Sequence, residues 1–392
     1  MTSERTGRDG ASSRPNEDAG VVASGAPSRI VIKLGTSTLT SADGALDVAY
    51  IADVARQVVA QQVLGRSVIL VTSAAIRAGM QRLALPGKPQ TIPQKQAASA
   101  IGQGVLMHLY SEAFAQYGIP VAQVLLTRED FRERARYLNA RNTFAAILKY
   151  GAVPIVNEND TVAVDEIRVG DNDTLAALVA SLVGADALLL LSDVDGLYDQ
   201  DPTHNPEAKR IPVVKTIDRA LEQLATGART AVGTGGMVTK IRAGRICAGS
   251  GVRMTIAHGR QPDVVSRALS GEIGTIFLPK NVQLKHRKRW IAYGAALKGS
   301  ITVNDGAKQR LVDEGKSLLP AGVVKVEGRF QRGELVQLVG CDGASFAQGF
   351  VNYGHDDLAK IMGKRTSEIA SVLGMKTRDE VVHRDDLVLN IV

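Results

Sequence analysis

Short apolar runs alternate with helix-compatible stretches along most of this 392-residue chain. The strand-like runs are residues 30–32, 67–71, 121–126, 153–156, 187–191 and 252–257. The helix-compatible stretches are residues 48–59, 94–117, 135–149, 173–183 and 238–248. Strands that alternate with helices are joined by right-handed crossovers, which place them in a mostly parallel sheet with helices on both faces. We therefore predict an α/β fold with a sheet sandwiched by helices.

Four of the strand-like runs are followed directly by polar residues, at positions 33–37, 72–73, 157–160 and 192–193. The carboxyl ends of parallel strands lie at one edge of a sheet, and the ligands of such sheets bind beyond that edge. We therefore expect these four polar segments to form a single binding site.

Two stretches have the composition of a phosphate site. Lys33 would leave the end of a central strand as a fixed positive charge, and Gly35 would let the backbone turn tightly beside a ligand. Residues 233–240 form a glycine-rich loop that opens a helix, so its backbone N–H groups would face phosphate. Lys240, one turn into that helix, would add a charge that follows the transferred group.

Ser192 and Asp193 begin a loop suited to lining a nucleotide pocket. Asp193 is the carboxylate that we expect to orient Lys33 and Lys240, or to hold magnesium. These residues complete a predicted phosphate-binding half of the site.

Amide and carboxylate side chains are concentrated at residues 157–160 and 170–173, on either side of a predicted hairpin at 162–169. Such groups together can hold an α-ammonium group, while the N-terminus of the helix opening at Asp173 could hold a carboxylate. The alternative is that these residues only cap helices and form turns, as Asn and Asp often do. Their number beside one strand end favours an amino-acid site.

The composition limits the class of protein and suggests how the chain divides into domains. It is 45% apolar and 22% charged, which is ordinary for a soluble protein, and its length favours two domains. The two cysteines lack metal-ligand spacing, which predicts a reducing, cytoplasmic location and argues against a zinc site or a disulfide scaffold. No apolar run reaches the ~20 residues of a membrane span.

We divide the chain into four segments. Residues 1–27 are rich in Ser, Gly, Pro and charge and are predicted to be a disordered tail. Residues 28–280 form the α/β domain, and residues 281–298, which include a basic run at 285–289, are predicted to be a solvated linker. Residues 299–392 contain short β-type runs separated by glycines, which predicts a small β-rich domain.

The ordered motifs resemble those of the glutamate 5-kinases, a branch of the amino-acid kinase family. The matching segments occur in family order, at residues 31–37, 71–73, 125–127, 157–160, 170–173, 233–240 and 382–385. The resemblance implies the family's α/β fold, followed by a PUA domain, a small pseudo-barrel, at about residues 299–377. It also implies ATP- and Mg²⁺-dependent phosphorylation of the side chain of L-glutamate, the first step of proline biosynthesis.

The resemblance further implies feedback inhibition by proline, a homo-oligomer and hand-over of the product to glutamyl-5-phosphate reductase. Matching positions would bind glutamate through Ser73, Asp160 and Asn172, supported by Asn157, Asp171 and Asp173. The ATP phosphates would be held by Lys33, Gly35, Ser192, Asp193, Thr234, Gly235, Gly236, Met237, Val238, Thr239 and Lys240. Of these, Lys33, Lys240 and Asp193 would be catalytic.

One position departs from the family pattern. The family usually has glycine where this chain has Ala74, between Ser73 and Ala75. If the backbone there has a positive φ or passes close to glutamate, the methyl group of Ala74 should weaken glutamate binding.

The sequence is also compatible with other functions. Aspartokinase and acetylglutamate kinase are carboxylate kinases of the same fold, although the β-rich C-terminal domain weighs against both. An RNA-binding protein acting through that domain is a further alternative, but residues 282–392 carry only 17 Lys and Arg against 13 Asp and Glu. Nucleic acid is therefore not expected to be the main partner. The presence of Lys33, Asp193 and Lys240 argues against a regulatory pseudo-kinase.

Overall fold

The structure is a computed structural model. It describes residues 27–163, 172–202, 204–227, 236–279, 286–293, 296–374 and 378–389. The predicted tail therefore lies outside the described residues, apart from residue 27, as does nearly all of the predicted hairpin at 162–169.

An eight-stranded sheet forms the centre of the first domain. Among the described residues, the strands of this domain are β1 (Arg29–Leu34), β2 (Ser67–Val71), β3 (Val121–Leu126), β4 (Val153–Glu158), β5 (Ala187–Ser192), β6 (Leu197–Tyr198), β7 (Arg210–Ile211), β8 (Val213–Val214), β9 (Arg253–His258) and β10 (Thr275–Phe277). The sheet order is β3-β4-β2-β1-β5-β9-β10-β8, and all neighbours are parallel except β9 and β10. Strands β6 and β7 form a separate antiparallel pair. The predicted mostly parallel sheet is confirmed.

Helices cover both faces of this sheet. They are α1 (Thr36–Leu39), α2 (Val48–Val63), α3 (Ala75–Arg82), α4 (Ile92–Ala115), α5 (Arg128–Arg132), α6 (Arg134–Lys149), α7 (Asn172–Val183), α8 (Arg219–Gly227), α9 (Met237–Ser250) and α10 (Val264–Ser270). Alternate residues of each strand contribute to different cores, because strand side chains point to opposite faces. In β1, Ile30 and Ile32 pack with residues of α2 and α4, whereas Val31 packs with residues of α7 and α9.

The longest helix, α4, begins at a well-defined cap. The Thr91 hydroxyl accepts from the backbone N–H of Gln94, and the Gln94 side chain accepts from the backbone N–H of Thr91. This reciprocal capping box, with Pro93 in the first turn, fixes the start of the helix. The N-terminal half of α4 packs closely against α3 and carries several residues that lie behind the binding cavity described below.

The second domain is built on a five-stranded sheet of order β12-β11-β13-β14-β15. Its elements are helix α11 (His286–Tyr293) on its border, strands β11 (Leu297–Val303), β12 (Val323–Gly328), β13 (Leu335–Val339), β14 (Ser345–Val351) and β15 (Val382–Leu389), and helices α12 (Asp305–Asp313), α13 (His355–Ile361) and α14 (Ile369–Leu373). The predicted β-rich domain is present, and strand β15, which the sequence analysis did not predict as a strand, closes one edge of its sheet.

The segment predicted to be a solvated linker contains a packed helix instead. Helix α11 lies between the two domains, and Trp290 and Ile291 are buried. The indole N–H of Trp290 donates to the carbonyl of Phe131 in the first domain at 2.8 Å, while its ring stacks on Phe350 of the second domain. Gln348 donates to the Ile291 carbonyl at 2.6 Å. The basic run therefore leads into a junction that holds the domains together.

Candidate active site

The four polar segments that follow strands meet at one edge of the sheet, as expected. Strands β4, β2, β1 and β5 are consecutive neighbours and run in the same direction, so their carboxyl ends lie side by side. A cavity of about 500 Å³ opens beside this edge. Its lining includes Ser73, Ala74, Asn157, Asp160 and Asn172. The sheet topology therefore creates the site that the sequence pattern predicted.

A buried carboxylate joins the two predicted phosphate-binding lysines. Asp173, at the start of α7, is 2% exposed. Its Oδ1 lies 2.7 Å from Lys33 Nζ, and its Oδ2 lies 3.0 Å from Lys240 Nζ. Thr239 also donates to Oδ2, at 2.8 Å. Two elements far apart in the chain, β1 and α9, are thereby tied together at the edge of the sheet.

The charges in this cluster do not cancel. Burial by itself would raise the pKa of Asp173, but the charges of Lys33 and Lys240 and their hydrogen bonds outweigh it and hold that pKa well below its usual range. Asp173 is therefore ionised at neutral pH, and two ammonium groups against one carboxylate leave a net positive charge. A fixed, largely desolvated positive charge suits a polyphosphate.

Asp173 takes one of the two roles expected for Asp193, the orientation of both lysines, whereas the other role, the binding of magnesium, stays a prediction. Asp193 is exposed, and its carboxylate accepts a hydrogen bond from the buried Ser192 hydroxyl at 2.9 Å. The predicted orientation of both lysines by Asp193 was wrong, because α7 begins close to β1 and places Asp173 between them. Asp173, which had been expected to support glutamate binding, is instead engaged with the lysines.

The glycine-rich loop is described only from Gly236 onward, so Thr234 and Gly235 lie outside the described residues, as does Asp171. Gly236 is the N-cap of α9, Met237 is its first residue and Val238 is exposed. The backbone N–H of Thr239 donates to the Gly236 carbonyl at 3.1 Å. Those of Met237 and Val238 have no earlier carbonyl of the helix to bond, which is the arrangement that favours an anion.

The chain turns at Gly35 as expected, since β1 ends at Leu34, α1 begins at Thr36 and the Gly35 carbonyl accepts from the Thr38 N–H at 3.2 Å, but this turn does not require glycine. Its φ is −76°, in the region open to any residue. A Cβ placed there would lie 3.7 Å from Lys33 Nζ. The absence of a side chain at Gly35 therefore leaves open the space beside the lysine ammonium group.

A chain of buried amides forms the other half of the site. Asn172 Nδ2 donates to the Thr72 carbonyl at 2.7 Å, and lies 3.0 Å from both the Ser73 hydroxyl and Asn157 Oδ1. Asn157 in turn donates from Nδ2 to Gln103 Oε1 at 2.9 Å. Within the described part of the chain, Asn172 Oδ1 is buried and accepts no hydrogen bond.

Asp160 lies at the same cavity and is 9% exposed. Burial raises the pKa of Asp160, and a hydrogen bond from the Ser99 hydroxyl opposes that rise. A partly desolvated carboxylate of this kind gains a favourable partner when a cation binds beside it. Asp160 and Asn172 together give the cavity two acceptors suited to an ammonium group.

Ala74, which stands where the family usually has glycine, has a strained backbone conformation. Its φ is +74°, in the left-handed region, and it lines the cavity as the N-cap of α3. Side chains other than glycine are disfavoured in this region by about 1–2 kcal/mol. The backbone at Ala74 therefore has the positive φ at which its methyl group is expected to weaken glutamate binding.

Close contact between α3 and α4 holds Ala74 and Ser73 in place. A Cβ on Gly102 would lie 1.8 Å from the Ala75 carbonyl oxygen, and a Cβ on Gly79 would lie 1.8 Å from the Ala98 carbonyl oxygen. The two backbones therefore approach to a distance that only glycine allows. This packing fixes the start of α3, which forms one wall of the cavity.

The residues of the site that were missed from sequence include Ser99, Gln103 and Arg77, and also Lys88, Gln90 and Lys95 in the lining of the cavity. Ser99 and Gln103, both on α4, lie behind Asp160 and Asn157, and Arg77 lines the cavity from α3 with its guanidinium close to Gly44. Ser99 and Gln103 lie one turn apart on the buried face of a long helix, so a polar pair at i and i+4 was the available signal.

Two properties concern the described residues alone. None of their helices is long and apolar enough to cross a membrane. They also contain no group of three or more His, Cys, Asp or Glu side chains arranged to hold a metal ion.

Comparison with known sequences agrees with this geometry. The model of the "Amino acid kinase family" matches residues 28–258, which is more than half of the chain. The chain belongs to the amino acid kinase family. The model of the PUA domain matches residues 299–373, which cover most of the second sheet. The predicted amino acid kinase fold with a C-terminal PUA domain is confirmed.

Relatives within the amino acid kinase family match almost the whole chain. Glutamate 5-kinase of Geobacter sulfurreducens is 49% identical over 362 residues, which are 92% of this chain and 97% of that protein. Glutamate 5-kinases of Caldanaerobacter subterraneus subsp. tengcongensis and Moorella thermoacetica are each 51% identical over 362 residues, covering 92% of this chain and 97% and 96% of those proteins. The resemblance to this branch of the family is confirmed, and the chain is a kinase.

Proposed function

We propose that this kinase transfers the γ-phosphoryl group of ATP to the side-chain carboxylate of L-glutamate, giving L-glutamyl 5-phosphate and ADP. The observation that carries the proposal is the juxtaposition of two half-sites at one sheet edge. Asn172, in the amide chain, and Asp173, between the two lysines, are consecutive residues at the start of α7. An amino acid and a polyphosphate would therefore be held next to each other.

The chemistry requires no general base. A carboxylate with a reference pKa near ~4.3 is already ionised at neutral pH and can attack the γ-phosphorus directly. A carboxylate oxygen forms the new P–O bond while the bond between the γ-phosphorus and the β–γ bridging oxygen breaks, and its electrons leave with ADP. The difficulty is the approach of an anion to a polyanion, which Lys33 and Lys240 relieve.

In this proposal the amide half of the site holds the amino-acid end of glutamate. Asn172 Oδ1 and the Asp160 carboxylate accept from the α-ammonium group, and Ser73 lies beside the same cavity. Asn157 supports Asn172 through the 3.0 Å hydrogen bond. Asp171 lies outside the described residues, and its role stays a prediction from the family motif.

The phosphate half would receive ATP with Mg²⁺. Mg²⁺ is usually bound through substrate phosphates, one or two carboxylates and several waters, and it neutralises charge on the β- and γ-phosphates. Lys33, Gly35, Ser192, Asp193 and residues 234–240 are the proposed ATP-binding set, with Lys240 closest to the transferred group.

We further propose that the reaction is the first step of proline biosynthesis in the cytoplasm. Proline would act as a feedback inhibitor overlapping the glutamate site, the enzyme would be a homo-oligomer, and the product would pass to glutamyl-5-phosphate reductase. These proposals carry forward what the resemblance to the glutamate 5-kinases implies, and that resemblance is supported by relatives that match over 92% of this chain.

The test is ADP release with ATP and Mg²⁺, in separate reactions with L-glutamate, L-aspartate and N-acetyl-L-glutamate. Hydroxylamine is added to trap an acyl phosphate as a hydroxamate. We expect turnover and hydroxamate with L-glutamate alone, and suppression by proline. Preferential turnover of L-aspartate or N-acetyl-L-glutamate would refute the assignment of substrate.

A further inference from the structure

Gln103 lies behind the glutamate cavity and is absent from its lining. It is 7% exposed, on the buried face of α4. Its Oε1 accepts the hydrogen bond from Asn157 Nδ2, and its own Nε2 is buried without a partner in the described part of the chain. A glutamine that leaves its donor group unsatisfied adds little to folding, so its acceptor atom is the feature to explain.

The Oε1 acceptor of Gln103 determines which side of the Asn157 amide faces Asn172. An amide has hydrogen-bond donors on nitrogen and acceptors on oxygen, at opposite sides of the group. With Nδ2 directed at Gln103, Asn157 presents Oδ1 on the other side. That oxygen lies 3.0 Å from Asn172 Nδ2 and 2.9 Å from the backbone nitrogen of Glu158.

The orientation of the Asn172 amide is fixed in the same way, by the partners of its nitrogen. Its Nδ2 is surrounded by acceptors, namely Asn157 Oδ1, the Thr72 carbonyl and the Ser73 hydroxyl. Its Oδ1 is therefore left on the opposite side, where the described residues provide no donor. An α-ammonium group carries only donors and matches that oxygen.

We propose that Gln103 is a positioning residue for glutamate, which fixes both amides so that Asn172 presents oxygen to the α-ammonium group. The inference rests on the proposed function. Without an acceptor at position 103, only the 2.9 Å hydrogen bond from the Glu158 backbone N–H still favours this orientation of the Asn157 amide. The amide can then rotate by half a turn and direct Nδ2 at Asn172. The Asn172 amide then turns in response and presents its own N–H groups to a ligand that also carries only donors.

The decisive variants differ in one property of the side chain. Gln103→Met has a similar length but lacks a strong acceptor, whereas Gln103→Glu keeps acceptor oxygens at the same distance from the backbone. Gln116→Met is the matched control, since Gln116 is exposed at the far end of α4 and donates only to the nearby Ala113 carbonyl. All are made in the full chain, and thermal unfolding verifies that each folds.

We measure kcat, the KM of glutamate and the KM of ATP, and also the inhibition constant of glutarate, which has both carboxylates but no ammonium group. We expect Gln103→Met to raise the KM of glutamate about tenfold, equivalent to ~1.4 kcal/mol. The KM of ATP and the inhibition constant of glutarate should stay within about twofold of the wild type. Gln103→Glu should recover most of the glutamate affinity, and Gln116→Met should behave as the wild type.

Several results would overturn the positioning role. One is a KM of glutamate within twofold of the wild type in Gln103→Met. Another is an equal loss in Gln103→Met and Gln103→Glu, or an equal loss for glutamate and glutarate, since these indicate general damage to packing. If Gln103→Met does not fold, a tenfold loss in a folded Gln103→Glu variant overturns the proposal. Wild-type chain that fails to turn over glutamate would refute the proposed function itself, which separates that failure from failure of the role of Gln103.

Discussion

Replacing Asp173 with asparagine removes one charge from the phosphate half of the site while keeping the shape of the side chain. Two buried ion pairs, at 2.7 and 3.0 Å, are lost together, and Lys33 and Lys240 are left facing each other without a counter-charge. Removal of one member of a buried ion pair typically costs about 3–5 kcal/mol. At roughly 2–4 °C per kcal/mol for a large domain, the expected fall in Tm is roughly 6–20 °C.

A polyphosphate should partly reverse this loss. In Asp173→Asn the two lysines have no internal counter-charge, so ATP supplies the missing negative charge and binding to the folded state stabilises it. We expect ATP to raise the Tm of the variant more than that of the wild type, although kcat falls because the lysines are no longer held in place. The assay is thermal unfolding with and without saturating ATP, beside steady-state kinetics.

The pH dependence provides an independent check. The pKa of Asp173 is lowered in the folded state, so its contribution to stability is present above the unfolded-state pKa of about 3.9 and is lost as the pH falls toward the folded-state value. The difference in unfolding free energy between wild type and Asp173→Asn should be constant from about pH 5 to 8 and shrink below about pH 4. A difference under ~1 kcal/mol at pH 7, with equal ATP shifts in both proteins, would refute the reasoning.

Three further predictions concern the glutamate half of the site. Ala74→Gly removes the strain of a left-handed alanine and should lower the KM of glutamate several-fold, and an unchanged KM would contradict this. Stability should change little, because the ~1–2 kcal/mol of strain that is relieved is offset by the greater entropy of the unfolded chain and by the loss of a buried methyl group. Gly102→Ala should destabilise the protein by about 1–3 kcal/mol in urea unfolding, because its Cβ would collide with α3. Gly104→Ala, with no atom within 4 Å of its added Cβ, should be neutral or stabilising. Equal effects of the two variants would contradict the close contact between α3 and α4. Arg77→Ala should raise the KM of glutamate by removing a cation from the cavity, while Arg82→Ala, exposed on the same helix, should not; similar values for both variants would remove Arg77 from the site.

The position of the site could be predicted from sequence because it depends on regular features. Runs of β-forming residues followed by polar residues identify strand ends, and a parallel sheet brings those ends together. Lys33, Asn157 and Ser192 accordingly lie within the last two residues of β1, β4 and β5, at the strand ends where they were expected. Predicted strand and helix boundaries agree with the structure to within one to three residues at most positions.

Pairings between side chains could not be predicted in the same way. That Asp173 rather than Asp193 pairs with both lysines depends on where α7 begins relative to β1, which sequence spacing does not determine. The junction helix was missed because the basic residues before Trp290 indicate solvent, and an eight-residue helix is too short to show clear periodicity. Gln103 was missed because a polar pair at positions 99 and 103 of a long helix does not show which side chains it contacts.

The position of Trp290 gives the chain a built-in optical reporter. It is the only tryptophan in the sequence, and it is 6% exposed where the two domains meet. Tryptophan emission in this protein therefore originates from the domain junction alone, without contributions from elsewhere in the chain. A shift of that emission toward longer wavelength would signal that the PUA domain has moved away from the kinase domain, and the unmodified enzyme can be followed in this way during turnover.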